Sequence, residues 1–103
     1  VLLLGVSYKA NIADQRHSPA IPVAHALAEK GADLAYHDAN VPKWEVDSVA
    51  YESEKDLDAA VRDADIVVIL QAHREYDFQD IAANAKLLFD TRGVAAGTTA
   101  HLL

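Results

Sequence analysis

Lys9, Arg16, Arg74 and Arg92 are four of only nine basic side chains in a 103-residue chain of formal net charge −7. Each lies in a polar stretch that follows an apolar segment. If those segments are parallel strands, the four cations gather at the carboxyl edge of one sheet. A helix beginning near Ser18 would point free N–H groups and a partial positive charge at the same edge. Such an arrangement suits a phosphate or pyrophosphate, and open α/β sheets bind ligands at that edge. The other polar residues expected there are Ser7 and Tyr8, then His37 and Asp38, then Gln71 and His73, and finally Thr91. A plainer reading stands beside this one: loops are polar anyway, with Arg16 paired to Asp14 and Arg92 to Asp90. Asp38 sits where a ribose-binding acid would, but a solvated loop Asp or a turn-forming side chain is the more ordinary reading.

Other chemistries find little support. The chain has no Cys, which excludes disulfides, thiolate metal sites and a cysteine nucleophile within these residues. Its five His residues show no ligand spacing, so no metal site is expected. His25 is expected mid-helix on the solvent face, and His17 and His101 in loop and tail. No Ser lies in a GxSxG elbow and no Walker loop is present. The first turn holds a single glycine, Gly5, where the dinucleotide fingerprint needs three. An acidic surface repels nucleic acid and anionic membrane, so neither is an expected partner. No apolar run approaches the ~20 residues of a membrane span. With 51% hydrophobic and 24% charged residues, the chain should be globular. It has no Met and opens on Val1 in an apolar run, so it is expected to be a segment of a longer protein.

The positioning elements follow from pattern. Val1–Val6 reads as a strand buried on both faces, without alternation. Ser7 to His17 reads as a loop. Ser18-Pro19 predicts a helix start, with Ala20, Val23, Ala24 and Leu27 at helical spacing and Gly31 as the left-handed cap. Ala32–Tyr36 reads as a second strand, and 43–52 is ambiguous between a short strand at Val49–Tyr51 and an extended connector. Ser53-x-x-Asp56 resembles a capping box before a helix carrying Leu57, Ala60, Val61 and Ala64. Asp65–Leu70 predicts a third strand, Asp77 caps a helix with Phe78, Ile81, Ala82 and Ala85, and Lys86–Phe89 is a fourth strand. The order β-α-β-α-β-α-β predicts a single α/β domain over 1–103. It is a three-layer, Rossmann-like parallel sheet of about four to five strands, order 2-1-3-4, with helices on both faces.

The string Gly5-x-x-Tyr8-Lys9-x-x-x-x-Asp14-x-Arg16-x-Ser18-Pro19-Ala20 resembles the C-terminal, nucleotide-binding domain of the UDP-glucose/GDP-mannose dehydrogenases. Glu29-Lys30-Gly31-Ala32, Tyr36-His37-Asp38, Val41-Pro42, Ala64-Asp65 and Asp90-Thr91-Arg92 continue the likeness in the family's order. The resemblance implies a cytoplasmic parent enzyme with an N-terminal NAD domain, a central helical dimer interface and this domain holding the nucleotide half of a UDP-sugar or GDP-sugar. The parent would oxidise the sugar's C6 alcohol to a carboxylate in two NAD-dependent steps, through a cysteine thiohemiacetal and thioester, supplying uronic acids for polysaccharides. By position, Lys9 matches the lysine that contacts the phosphates, Tyr8 its aromatic neighbour and Arg92 the arginine of the strand-four motif. Asp14, Arg16 and Ser18 match loop-ordering positions. Gly93 stands where some members carry a second arginine. The resemblance implies no catalytic residue in this chain and no NAD bound by it alone. The alternative is a non-enzymatic regulatory or receiver-like module. A receiver, however, needs an acidic cluster after strand one and a phosphorylatable Asp after strand three, and Ser7-Tyr8-Lys9 and Gln71-Ala72-His73 supply neither.

Overall fold

The computed structural model describes residues 1–7, 20–74, 76–91 and the backbone of 101–102. Five parallel strands form one sheet: β1 (Leu2–Leu4), β2 (Ala35–His37), β5 (Val67–Ile69), β6 (Leu88–Asp90) and β7 (His101–Leu102). The spatial order is β2-β1-β5-β6-β7. The expected order 2-1-3-4 is thus present as β2-β1-β5-β6, with β7 added at the edge beside Phe89 and Asp90.

The unbroken apolar run at the start has a direct cause. Leu2 and Leu4 face one core with Val67, Ile69 and Leu88, against helices α2 (Leu57–Asp63) and α3 (Phe78–Asn84). Leu3 faces the other core with Val6, Tyr36 and helix α1 (Ala20–Glu29). A central strand covered on both sides has no polar face to alternate with. The expected helical faces are in place: Val61 of α2, and Ile81 and Ala82 of α3, are buried, with Phe78 and Ala85 packed beside them.

Helix ends follow local chemistry. Gly31 takes φ +83°. The amide of Gly31 donates to Ala28 and that of Ala32 to Leu27, a Schellman ending that satisfies the last carbonyls. This ending also delays the second strand. Residues expected to begin it at Ala32 are still closing the helix, and pairing starts at Ala35 opposite Leu2. Asp77 caps α3, accepting from the Asp80 amide at 3.1 Å. The box expected at Ser53 is different. Asp56 alone caps α2, accepting from Ala59 at 3.1 Å, and Ser53 Oγ instead accepts from the amide of Asp38 at 2.9 Å. Ser18 and the helix start it was expected to cap lie outside the described residues.

The ambiguous stretch is an antiparallel hairpin, β3 (Lys43–Val46) and β4 (Val49–Glu52), in a sheet of its own. Trp44 and Val46 face inward and Lys43 and Glu45 outward. Trp44 meets Tyr36 edge-on at 5.3 Å between centroids and 67°, worth about 0.5–1.5 kcal/mol beyond area burial. The Tyr36 hydroxyl donates to the Val41 carbonyl at 2.7 Å. Burial, with a smaller push from the charge of Asp38, raises the phenol to about 12, so it stays a donor. The two-residue turn, Asp47-Ser48, has φ of 54° and 66°, the sign a primed hairpin turn requires at both positions.

His25 fastens this hairpin to α1. Its Nδ1 lies 2.6 Å from Asp47 Oδ2 and its Nε2 3.1 Å from Glu29 Oε1. The hydrogen bond to Asp47, then the Asp47 and Glu29 charges, raise its pKa above the ordinary 6.5. A raised folded-state pKa contributes stability that is complete below the unfolded value and lost as pH rises through the folded one. The thermal midpoint of the native chain should therefore exceed that of His25→Asn by most between about pH 5 and 6.5, with the gap narrowing above. Melting curves across that range check it; a gap that widens with pH would refute the pairing.

Candidate functional site at the carboxyl edge of the sheet

Strand β1 has β2 on one side and β5 on the other, so the chain reverses its direction of travel across the sheet between β1 and β5. This switch point is where an open α/β sheet presents a crevice. The residues leaving β1 there are Gly5, Val6 and Ser7, and those leaving β5 are Leu70 and Gln71. The two exits are in close contact. The amides of Leu70 and Gln71 both donate to the Leu4 carbonyl, at 2.9 and 3.3 Å. Gly5 adopts φ +81°, and a Cβ placed on it would lie 2.6 Å from Gln71 Cβ. Its single glycine therefore serves backbone against backbone inside the sheet.

Asp38, at the exit of β2, is fully buried. Its Oδ2 accepts from the amides of Val6 at 2.9 Å and Ser7 at 3.1 Å, and from His73 Nε2 at 2.8 Å. Its Oδ1 accepts from the Asn40 amide at 2.9 Å. The expected turn-forming role is real, but the solvated one is not: four donors converge on a carboxylate that water does not reach. The same fact removes Asp38 as a ribose-binding acid. Ser7 and His73 are equally buried, with Ser7 Oγ 3.1 Å from His73 Nε2.

His37, half-buried at the end of β2, bonds Tyr76. The Tyr76 hydroxyl donates to the His37 carbonyl at 2.7 Å, so the 3.0 Å contact between His37 Nδ1 and that oxygen has Nδ1–H as donor. Gln71 is buried, Arg74 is exposed in the turn after β5, and Thr91 donates its hydroxyl to the Ile69 carbonyl. Ser7, His37, Asp38, Gln71, His73, Arg74 and Thr91 thus share one edge, as their positions after the strands implied. Tyr8, Lys9, Asp14, Arg16, Ser18 and Arg92 lie outside the described residues, as do His17 and Gly93.

Beyond β2, against β4, opens a cleft of about 460 Å³. Lys43 and Lys55 line it, but so do Asp38, Glu52 and Glu54, and this charge does not favour an anion. Among the described residues no group of His, Asp and Glu could hold a metal ion, and no helix is long and apolar enough to cross a membrane.

Residues 2–97 match the family model described as the UDP-glucose/GDP-mannose dehydrogenase family, UDP binding domain. The chain belongs to this family. A UDP-N-acetyl-D-mannosamine dehydrogenase of Methanocaldococcus jannaschii is 36% identical, over 91% of this chain and 22% of that protein. A GDP-mannose 6-dehydrogenase of Azotobacter vinelandii is 32% identical, over 85% of this chain and 23% of its own length. Among solved structures, the ternary complex of GDP-mannose dehydrogenase from Pseudomonas aeruginosa superposes with TM-score 0.76 at 29% identity, covering 98% of this chain and 27% of that one. The UDP-N-acetyl-mannosamine dehydrogenase of Staphylococcus aureus gives 0.72 at 26% identity, over 98% of this chain and 25% of that one. The chain spans about a quarter of the length of these dehydrogenases. The resemblance read from the Gly5–Ala20 string and the α/β fold are both upheld.

Proposed function

We propose that this chain holds the nucleotide diphosphate half of a UDP-sugar or GDP-sugar within an NAD-dependent nucleotide-sugar 6-dehydrogenase. The observation that carries the reading is the match of residues 2–97 to a domain described as UDP-binding. It is supported by a switch-point edge at which the chain's strand-end polar residues collect. Lys9 supplies a flexible point charge for the diphosphate, Arg92 a forked contact from the far strand, and Tyr8 an aromatic neighbour. Asp14, Arg16 and Ser18 order the loop between β1 and α1. The binding energy holds the sugar's C6 in place while other domains carry out the oxidation to a uronic acid. The N-terminal NAD domain, the dimer interface and the catalytic cysteine belong to the parent protein, which works in the cytoplasm on polysaccharide precursors. This domain by itself is inactive.

NAD is not expected at the first turn of this chain. Gly5 is packed on Gln71 rather than open to a pyrophosphate, and Asp38 is buried, out of reach of a ribose hydroxyl. Calorimetric titration of the chain with UDP, GDP and NAD tests the proposal. UDP or GDP should bind weakly, because other domains complete the site, and binding should weaken about tenfold, to a level still measurable, in Lys9→Ala and in Arg92→Ala. Tight NAD binding, or indifference to both substitutions, would overturn it.

A further inference from the structure

The exits of three strands are tied to one buried group. Ser7 follows β1, Asp38 follows β2 and His73 follows β5, and all three are completely shielded from solvent. None of them can touch a ligand as they stand. Their arrangement looks at first like a hydrolytic triad, but the geometry excludes one. In a triad the histidine shows one nitrogen to the serine and the other to the carboxylate. Here Nε2 meets both, at 3.1 Å from Ser7 Oγ and 2.8 Å from Asp38 Oδ2. An accepting carboxylate requires the proton on Nε2, so this nitrogen cannot take one from Ser7.

What the group does hold is backbone. Asp38 Oδ2 accepts from the Val6 and Ser7 amides, the last two peptide groups before Tyr8 and Lys9. His73 orients that carboxylate from across the switch point, while on the side of β2 the Asn40 amide donates to its Oδ1 and Ser53 Oγ accepts from the Asp38 backbone amide. We infer that Asp38 and His73 are positioning residues that fix where the loop carrying Lys9 leaves the sheet, and so set its aim at the nucleotide diphosphate. This rests on the nucleotide-binding reading above. Aim matters because a charge-assisted hydrogen bond to a phosphate, worth about 1.5–3 kcal/mol, weakens steeply as its geometry departs from the ideal.

The test is a double-mutant cycle read by calorimetry with UDP and GDP, on the native chain, His73→Leu, Lys9→Ala and the pair. His73→Leu should weaken binding about tenfold or more. The same change made in Lys9→Ala should cost less than about twofold, because there is no charge left to aim. His73→Gln, whose amide can still donate to Asp38, should recover most of the native affinity. Should His73→Leu not fold, Asp38→Asn carries the cycle with the same expected coupling. Native-like binding by His73→Leu, or a loss that simply multiplies with that of Lys9→Ala, would overturn the positioning role while leaving the nucleotide site intact. A native chain that binds neither nucleotide would instead overturn the nucleotide reading and the inference with it.

Discussion

Gly5→Ala is expected to lower the stability of the chain by about 3 kcal/mol or more, and its thermal midpoint by roughly 12 °C or more for a domain of this size. Two costs combine. A left-handed backbone costs an L-residue about 1–2 kcal/mol, and Gly5 sits at φ +81°. The new methyl would also fall 2.6 Å from Gln71 Cβ and 3.0 Å from the Gln71 amide nitrogen and carbonyl oxygen. Two of those neighbours are backbone of the adjacent strand exit, so they cannot swing aside. Relief needs β1 and β5 to part at the switch point, at a further cost of about 1–3 kcal/mol. The control is Gly31→Ala, which has a similar φ of +83° and no atom within 4 Å of its Cβ position. It should lose only the backbone term, about 1 kcal/mol. Equal losses at the two glycines, read from thermal melts, would show that the packing against Gln71 is not what makes Gly5 necessary.

Asp38→Ala is expected to cost about 4 kcal/mol, with loss of cooperative unfolding at the strand ends. The substitution strands the amides of Val6 and Ser7 and the Nε2–H of His73 in a place closed to water. Each unpaired buried donor costs about 1–3 kcal/mol, and the losses overlap because the groups share one acceptor. Asp38→Asn keeps the volume and one acceptor oxygen, so about half of the loss should return. Chemical denaturation of the two variants separates the outcomes. A drop below about 1 kcal/mol for Asp38→Ala would mean that water replaces the carboxylate with little penalty.

Much of this was legible from residue types. The continuous apolar runs at Val1–Val6 and, after Asp65, at Ile66–Leu70 pointed to the parallel sheet, and Asp77 and Gly31 marked helix ends where the structure has them. The hairpin was harder. Lys43-Trp44-Glu45-Val46 does alternate, but its turn uses Asp47-Ser48 without the glycine that advertises a primed turn. Ser53 looked like a cap because Ser and Asp three apart fit the local template, and only the fold brings the amide of Asp38 within its reach. The buried cluster of Ser7, Asp38 and His73 was hidden for the same reason. Its members are 31 to 66 residues apart in sequence, and nothing local tells a loop aspartate in water from one that four donors enclose. Of the candidate site, the described residues fall on the expected edge. The contacts assigned to Lys9, Tyr8 and Arg92 rest on family likeness, because a lysine's charge shows in the sequence and its target does not.

The central claim is that a nucleoside diphosphate binds at the carboxyl edge around the β1–β5 switch point. Amide NMR shifts followed during titration with UDP and GDP test it most directly. The account predicts that the largest shifts fall on Ser7, Gln71, Arg74 and Thr91, with Asp33 and Ile66 at the opposite edge unmoved and NAD without effect. Shifts centred on Asp33 and Ile66, or a response to NAD in place of UDP and GDP, would contradict it.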